Sequence, residues 1–212
     1  MHIRNFIVLI SLIICSSFVS AQSVFKPVKD TVSLKAKIDN MSKVTNSIES
    51  DFTQVKDLSM LSEKITSKGH FYFQKKNNLR WEYTSPYKYI IVINQDKIFI
   101  KDENKLKKYD MNSNKVFKEI NDIMISCVNG DILKSNKFKI SFFENDTYYK
   151  LELIPAMKGM KESLKKINMY FDKNVTSVVK LEMLEPSDDI TTLDFSNKKL
   201  NGTIAIEKFM LK

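Results

Sequence analysis

Gly69-His70-Phe71-Tyr72-Phe73-Gln74-Lys75-Lys76-Asn77-Asn78-Leu79-Arg80-Trp81-Glu82-Tyr83-Thr84-Ser85-Pro86 is the stretch on which the fold turns. Phe71 and Phe73 share one face and His70, Tyr72 and Gln74 the other. After a polar turn, Leu79, Trp81 and Tyr83 alternate against Arg80, Glu82 and Thr84. Period-two alternation on both sides of a short turn predicts two paired strands. The stretch holds the only tryptophan and no catalytic constellation. It points to a surface or cavity that binds something apolar.

Working outward, the chain opens with Met1-His2-Ile3-Arg4, an apolar run from Phe6 to Val19, and Ser20-Ala21-Gln22. A basic start, an apolar segment short of the ~20 residues a membrane span needs, and a small-residue cleavage site define a secretory signal peptide over residues 1–21. Cys15 follows Ile14 rather than a small residue, which argues against lipoprotein processing. The expected mature chain, residues 22–212, is one domain, long enough for a sizeable core, with no later apolar run suited to crossing a membrane. Cys127 is then the only cysteine, so no intramolecular disulfide forms and a core must supply the stability.

Of 34 basic residues Arg4 falls in the signal segment, leaving 33 against 25 acidic, or +8. The lysines alternate with apolar residues along strands, as in Lys137-Phe138-Lys139-Ile140, instead of forming a patch. That pattern describes the solvated face of an antiparallel sheet and not a nucleic-acid site.

From Thr31 to about Ile48, residues Leu34, Ile38, Met41, Thr45 and Ile48 recur at intervals of three and four, the stripe of an amphipathic helix. Asp51 to Lys56 starts a strand. After Pro86, Tyr87, Tyr89, Ile91 and Ile93 share a face, Asn94-Gln95-Asp96 turns, and Lys97 to Lys101 returns with Phe99 opposite Ile98 and Ile100. Ile90 to Ile93 is apolar on both faces, so both sides of the sheet are covered there. Leu106 to Asp110 and Lys115 to Glu119 extend the meander. Between Ile120 and Leu133 the spacing becomes helical, with Ile123, Met124, Cys127 and Val128 on one side. Further strands centre on Ile140, Leu151, Met169, Leu181 and Leu193, and a last on Ile204 and Ile206. Their turns fall at Glu144-Asn145-Asp146, Asp172-Lys173-Asn174, Pro186 to Asp189 and Asn201-Gly202. Ala156 to Lys165 fits either a short cover over one rim or a long loop. The whole is mainly β with helices (α+β): a single antiparallel sheet that curls or closes.

Catalytic chemistry finds no support. His70 is the only histidine after cleavage, and one histidine builds no histidine-rich metal site; it reads as a rim or surface residue. There is no phosphate loop, nucleophile elbow or Cys-x-x-Cys. Asp188 and Asp189 flank a Pro-Ser turn, where acids serve the backbone. No catalytic residue, metal or cofactor is expected.

The order Asp51-Phe52-Thr53-Gln54, Gly69 to Phe73, Leu79-Arg80-Trp81-Glu82-Tyr83 with Pro86, and Asp96-Lys97-Ile98-Phe99 resembles the LolA-type outer-membrane lipoprotein carriers. Leu151 to Pro155, Ile167 to Asp172, Lys180 to Glu185, and Ile190 to Asn201 continue the resemblance across the mature chain. It implies an open, curled sheet, an incomplete barrel, whose apolar concave face is lidded by helices. It also implies a soluble, monomeric carrier in the periplasm of a Gram-negative-type cell, shuttling acylated lipoproteins from an inner-membrane ABC-type releasing complex to an acceptor at the outer membrane. The family's basic latch before the Trp strand, commonly arginine, falls on Lys75 with Lys76 adjacent. The cavity lining expected from alternation is Phe71, Phe73, Trp81, Tyr83, Tyr89, Ile91, Phe99, Ile140, Met169 and Phe171. Leu34, Ile38 and Met41, with Met124 and Val128, lie on the covering helices. Two other readings stay open: a module of an envelope regulatory assembly that senses or holds lipid, and a carrier of another amphipathic lipid.

Overall fold

Twelve strands pair into one sheet, antiparallel at every junction, in the computed structural model, which describes residues 24–75, 77–95, 97–102, 105–110, 125–126 and 131–211. The strands are β1 Lys26–Pro27, β2 Ser47–Asp57, β3 Ile65–Gln74, β4 Asn78–Ser85, β5 Tyr89–Asn94, β6 Lys97–Asp102 and β7 Lys105–Asp110. They continue with β8 Phe138–Glu144, β9 Tyr148–Pro155, β10 Lys166–Asp172, β11 Val178–Leu184 and β12 Ile190–Leu200. Their order is β1-β8-β9-β10-β11-β12-β2-β3-β4-β5-β6-β7. Two meanders are therefore joined where β12 pairs with β2, and the sheet is not closed. Helices are few among the described residues: α1 Thr31–Val44, the single turn α2 Lys158–Lys161, and 3-10 turns at Asp131–Lys134 and Ile206–Phe209.

Tight turns explain the long meanders. Asn77 (φ 64°) ends the three-residue β3–β4 loop and Gln95 (φ 55°) opens the two-residue β5–β6 loop, both in the left-handed region that tight hairpin loops of these lengths use. Gly69 answers a different need. A Cβ there would lie 1.9 Å from the Glu82 carbonyl oxygen and 2.7 Å from the Phe52 ring, which lies over the glycine.

Asp30 caps α1, its Oδ1 accepting the Ser33 N–H at 2.9 Å. The sequence stripe runs the helix to about Ile48, but it stops at Val44. Thr45 turns extended while its N–H still bonds the Met41 carbonyl, the Asn46 N–H goes to Asn201 Oδ1 at 2.7 Å, and Ser47 Oγ donates to the Gly202 carbonyl at 2.6 Å. Ile48 is thereby given to β2, paired with Phe73 and Leu200. Two other expectations change. Ile206 belongs to a 3-10 turn and not a strand, and the Ala156–Lys165 segment proves to be a short cover, with α2 burying Met160. The signal segment, the Lys115–Glu119 strand and most of the Ile120–Leu133 helix lie outside the described residues. Within that stretch, Ile125 packs on the core and Ile132 is buried.

Candidate functional site: an aromatic face under a helix

Register sets the composition of the inner face. Phe71, Trp81, Ile91 and Ile100 form one cross-strand row, Phe73, Leu79, Ile93 and Ile98 the next, and Tyr83 pairs with Tyr89. On the other arm Ile140, Leu153, Ile167 and Met183 form a row, and Phe142, Leu151, Met169, Leu181 and Leu193 another. Side chains opposed in this way are the unit of sheet packing, and here they merge into a single core. At its centre the Phe52 ring lies 4.8 Å from Trp81 and 5.1 Å from Tyr83, while Phe71 lies 5.1 Å from Trp81 and 5.8 Å from Phe195.

Helix α1 lies on this face. Leu34, Ile38 and Met41 are buried against it, Ile38 completely. Near the start of the helix, Lys35 Nζ sits 5.1 Å over the Phe142 ring of β8; at its end, Lys75 Nζ donates to the Lys43 carbonyl oxygen at 2.8 Å. Strands β8 and β3 stand six places apart, about 29 Å across a flat sheet. Eight helical residues rise only about 12 Å. One helix reaches both because the sheet curls beneath it. The Lys75 contact also satisfies a last-turn carbonyl of α1, where a cation is favoured. The Lys75 N–H donates to the Asn46 carbonyl at 2.8 Å, so both ends of that residue hold the helix exit.

Between α1 and the sheet remains an apolar cavity of about 40 Å³, bounded by Met41, Thr45, Ile48, Phe71, Leu181 and Phe195, with Ser50, Ser177, Val178 and Lys198 also in its wall. It has room for a few water molecules and none for an acyl chain. The covered state is therefore closed. Burial raises the Tyr83 hydroxyl to about 12, and that hydroxyl donates to Gln54 Oε1 at 2.9 Å.

Of the expected lining residues, Phe71, Phe73, Trp81, Tyr83, Tyr89, Ile91, Ile140, Met169 and Phe171 share this core with Leu34, Ile38 and Met41. Phe99 does not, and its assignment is corrected. It pairs with Val92, whereas Ile100 pairs with Ile91, so period two sends Phe99 to the outer face with Tyr72, Val92, Ile204 and Phe209. Met124, Val128 and Lys76 lie outside the described residues. Sequence reasoning missed Phe52 and Lys198. Phe52 was legible as the ring opposite Gly69; Lys198 was hidden by a bulge.

The polar clusters elsewhere hold the frame together. His70 Nδ1 lies 2.7 Å from Asp51 Oδ1, both half-exposed. Asp189 Oδ1 accepts the Ser59 N–H at 2.7 Å, and Asp188 pairs with Lys165 at 2.8 Å, so this acidic turn ties loops. Among the described residues no group of three or more His, Cys, Asp or Glu is placed to hold a metal, and no helix is long and apolar enough to cross a membrane.

A curled antiparallel sheet with an aromatic inner face under one helix defines a class of binding folds, and relatives narrow it. The family model described as outer membrane lipoprotein carrier protein LolA matches residues 43–212, and the chain belongs to that family. The match begins at the last residues of α1, so most of the covering helix precedes it. Among solved structures, an uncharacterized conserved protein from Thermus thermophilus shares the fold at a TM-score of 0.51 and 9% identity, over 86% of this chain and 95% of that one. A LolA superfamily protein from Nitrosomonas europaea aligns at a TM-score of 0.44 and 12% identity, over 85% and 97% of the two chains. The MucA/MucB complex of Pseudomonas aeruginosa aligns at 0.47 and 9%, over 86% and 62%. No curated protein matches the sequence.

Proposed function

We propose that this protein is a periplasmic carrier that takes the acyl chains of lipoproteins onto its inner face, receiving them from an inner-membrane ABC-type releasing complex and passing them to an outer-membrane acceptor. The observation that carries the reading is the aromatic face closed by α1 through Leu34, Ile38 and Met41, with only about 40 Å³ left beneath. Membership of the lipoprotein carrier family supports it.

The magnitudes fit a reversible cover. Exposing three buried side chains of this size costs about 5–9 kcal/mol at roughly 1.5–3 each. An acyl chain of roughly 15 methylenes gains about 12 kcal/mol on leaving water, at ~0.8 per CH₂. Cargo therefore displaces the helix, and the empty protein closes again. Such transfer needs no bond chemistry. Residues 1–21 supply export as a signal peptide, and residues 22–212 act as a single domain and as a monomer.

Native mass spectrometry of the protein isolated from its own periplasm tests this. An acylated polypeptide held at one per chain is the expected result. Recovery of a membrane signalling protein without any acylated species would move the assignment to an envelope regulatory module, and a bound lipid without polypeptide would make it a carrier of another amphiphile.

A further inference from the structure

Strand β12 changes phase near its end. Ser196 pairs with Asp51 and Lys199 with Glu49, so Asn197 and Lys198 together oppose the single residue Ser50. Asn197 takes a left-handed backbone (φ 51°), and its Nδ2 donates to Asp51 Oδ2 at 2.7 Å on the outer face. A bulge of this kind re-aims the following side chain. Without it, alternation from Leu193 and Phe195 would turn Lys198 to solvent. With it, Lys198 enters the wall of the apolar cavity beside Ser50 and Ser177. The neighbouring strand carries a second irregularity, Phe171 pairing with Val178 and Tyr170 with Lys180, at the same end.

The polar atoms gathered there are not satisfied by the protein. Ser50 and Ser177 are 2% and 4% exposed, and neither Oγ has a hydrogen-bond partner among the described residues. Lys198 Nζ has only a 3.5 Å contact to the Val178 carbonyl, and no described carboxylate lies within ion-pair distance. The charge of Asp172 favours the protonated lysine, yet its oxygens accept from the Asn174 N–H and Thr176 Oγ1. Burial without full pairing holds the Lys198 ammonium below the ordinary lysine range. A cation and two orphaned hydroxyls in the wall of an otherwise apolar cavity form a receptor for an anion.

We propose that Lys198, Ser50 and Ser177 form a headgroup site that seats the carboxylate or phosphate of a single-chain anionic lipid, its acyl chain running under α1. This rests on the acyl-carrier reading and adds a ligand class to it. Fatty acids and monoacyl phospholipids share the chemistry, an anionic head on one chain.

The test compares tryptophan quenching or calorimetric titration of the mature protein with palmitate, hexadecanol and palmitoyl lysophosphatidic acid. The site predicts that palmitate or the lysophosphatidic acid binds at least about tenfold tighter than hexadecanol, the difference expected of one charge-assisted contact. Lys198→Met should abolish that preference while leaving hexadecanol binding intact, Lys198→Arg should restore it, and Ser50→Ala with Ser177→Ala should reduce it. The better of the two anionic probes identifies the head. Equal binding of charged and neutral chains, or a preference untouched by Lys198→Met, overturns the headgroup site and leaves the carrier reading standing. Failure of every sixteen-carbon probe to bind overturns both.

Discussion

The sheet is covered on both faces, and the two covers are held differently. On the outer face, the C-terminal 3-10 turn lays Phe209, fully buried, against Tyr72 and Val92 with Ile204, and the cluster is small. Its backbone is fastened to the strands beneath. Arg80 Nη1 donates to the Lys208 carbonyl and Asn94 Nδ2 to the Phe209 carbonyl, each at 3.1 Å, and Lys208 sits 4.8 Å over the Tyr72 ring. On the inner face α1 covers the larger, aromatic cluster, and the described backbone bonds to the sheet lie at its two ends: β1 pairs with β8 and the Val28 N–H donates to the Phe142 carbonyl at 3.0 Å before it, and Lys75 and Asn46 hold its exit. Pinned along its length, the outer cover reads as structure. Tied at its two ends and held between them by the packing of Leu34, Ile38 and Met41, the inner cover is the one that the proposed cargo would displace.

The wall beneath both covers is the most sensitive place to strike. Gly69→Val should cost more than about 3 kcal/mol in denaturant unfolding, because the new side chain meets the Glu82 carbonyl and the Phe52 ring in a sheet interior that cannot yield. A near-neutral result would mean that the two central strands separate easily. Next come the two covers. Phe209→Ala should lose about 3–5 kcal/mol and leave acyl-probe affinity unchanged, while Ile38→Ala should lose about 2–5 kcal/mol and bind the probe faster. Equal effects of both on probe uptake would erase the distinction between lid and strap. Lys75→Met removes one exposed hydrogen bond to the helix end. It should cost about 1 kcal/mol or less and speed uptake in stopped-flow quenching, and a slower uptake would show that Lys75 does not restrain the lid.

The smallest effect concerns pH. Asn197 first, then His70, holds the Asp51 carboxyl below the ordinary carboxylate range. The folded state thus binds fewer protons than the unfolded one in this window. The stabilisation is present above about pH 4, the unfolded value, and is lost as pH falls through the lowered folded value. Asp51 is well exposed, so solvent screens most of the effect. Asp51→Asn should flatten the slope of stability against pH below about pH 4, and an unchanged slope would remove Asp51 from the acid response.

Residues differ in how far the sequence reveals them. The hairpin Phe71 to Tyr83 announces itself through period two and a polar turn, and its inner face is the aromatic face of the folded protein. The α1 stripe is equally plain, and Leu34, Ile38 and Met41 are buried as spaced. Phe99 shows where the same rule stops: alternation separates Phe99 from Ile98 and Ile100 but does not say which set is inside. Only pairing to Val92 and Ile91 decided it. Ile48 extends the helical stripe in sequence, yet long-range bonds from Asn46 and Ser47 to Asn201 and Gly202 end the helix before it.

By itself the sequence determined the strands, most of their turns, the amphipathic helix and membership of a carrier family, because these follow from local periodicity and ordered motifs. The tertiary structure alone decided which faces turn inward, how α1 is fastened, and that Lys198 enters the cavity. The reason is physical: strand periodicity is blind to register, and a single extra residue at Asn197 reverses the phase of everything after it.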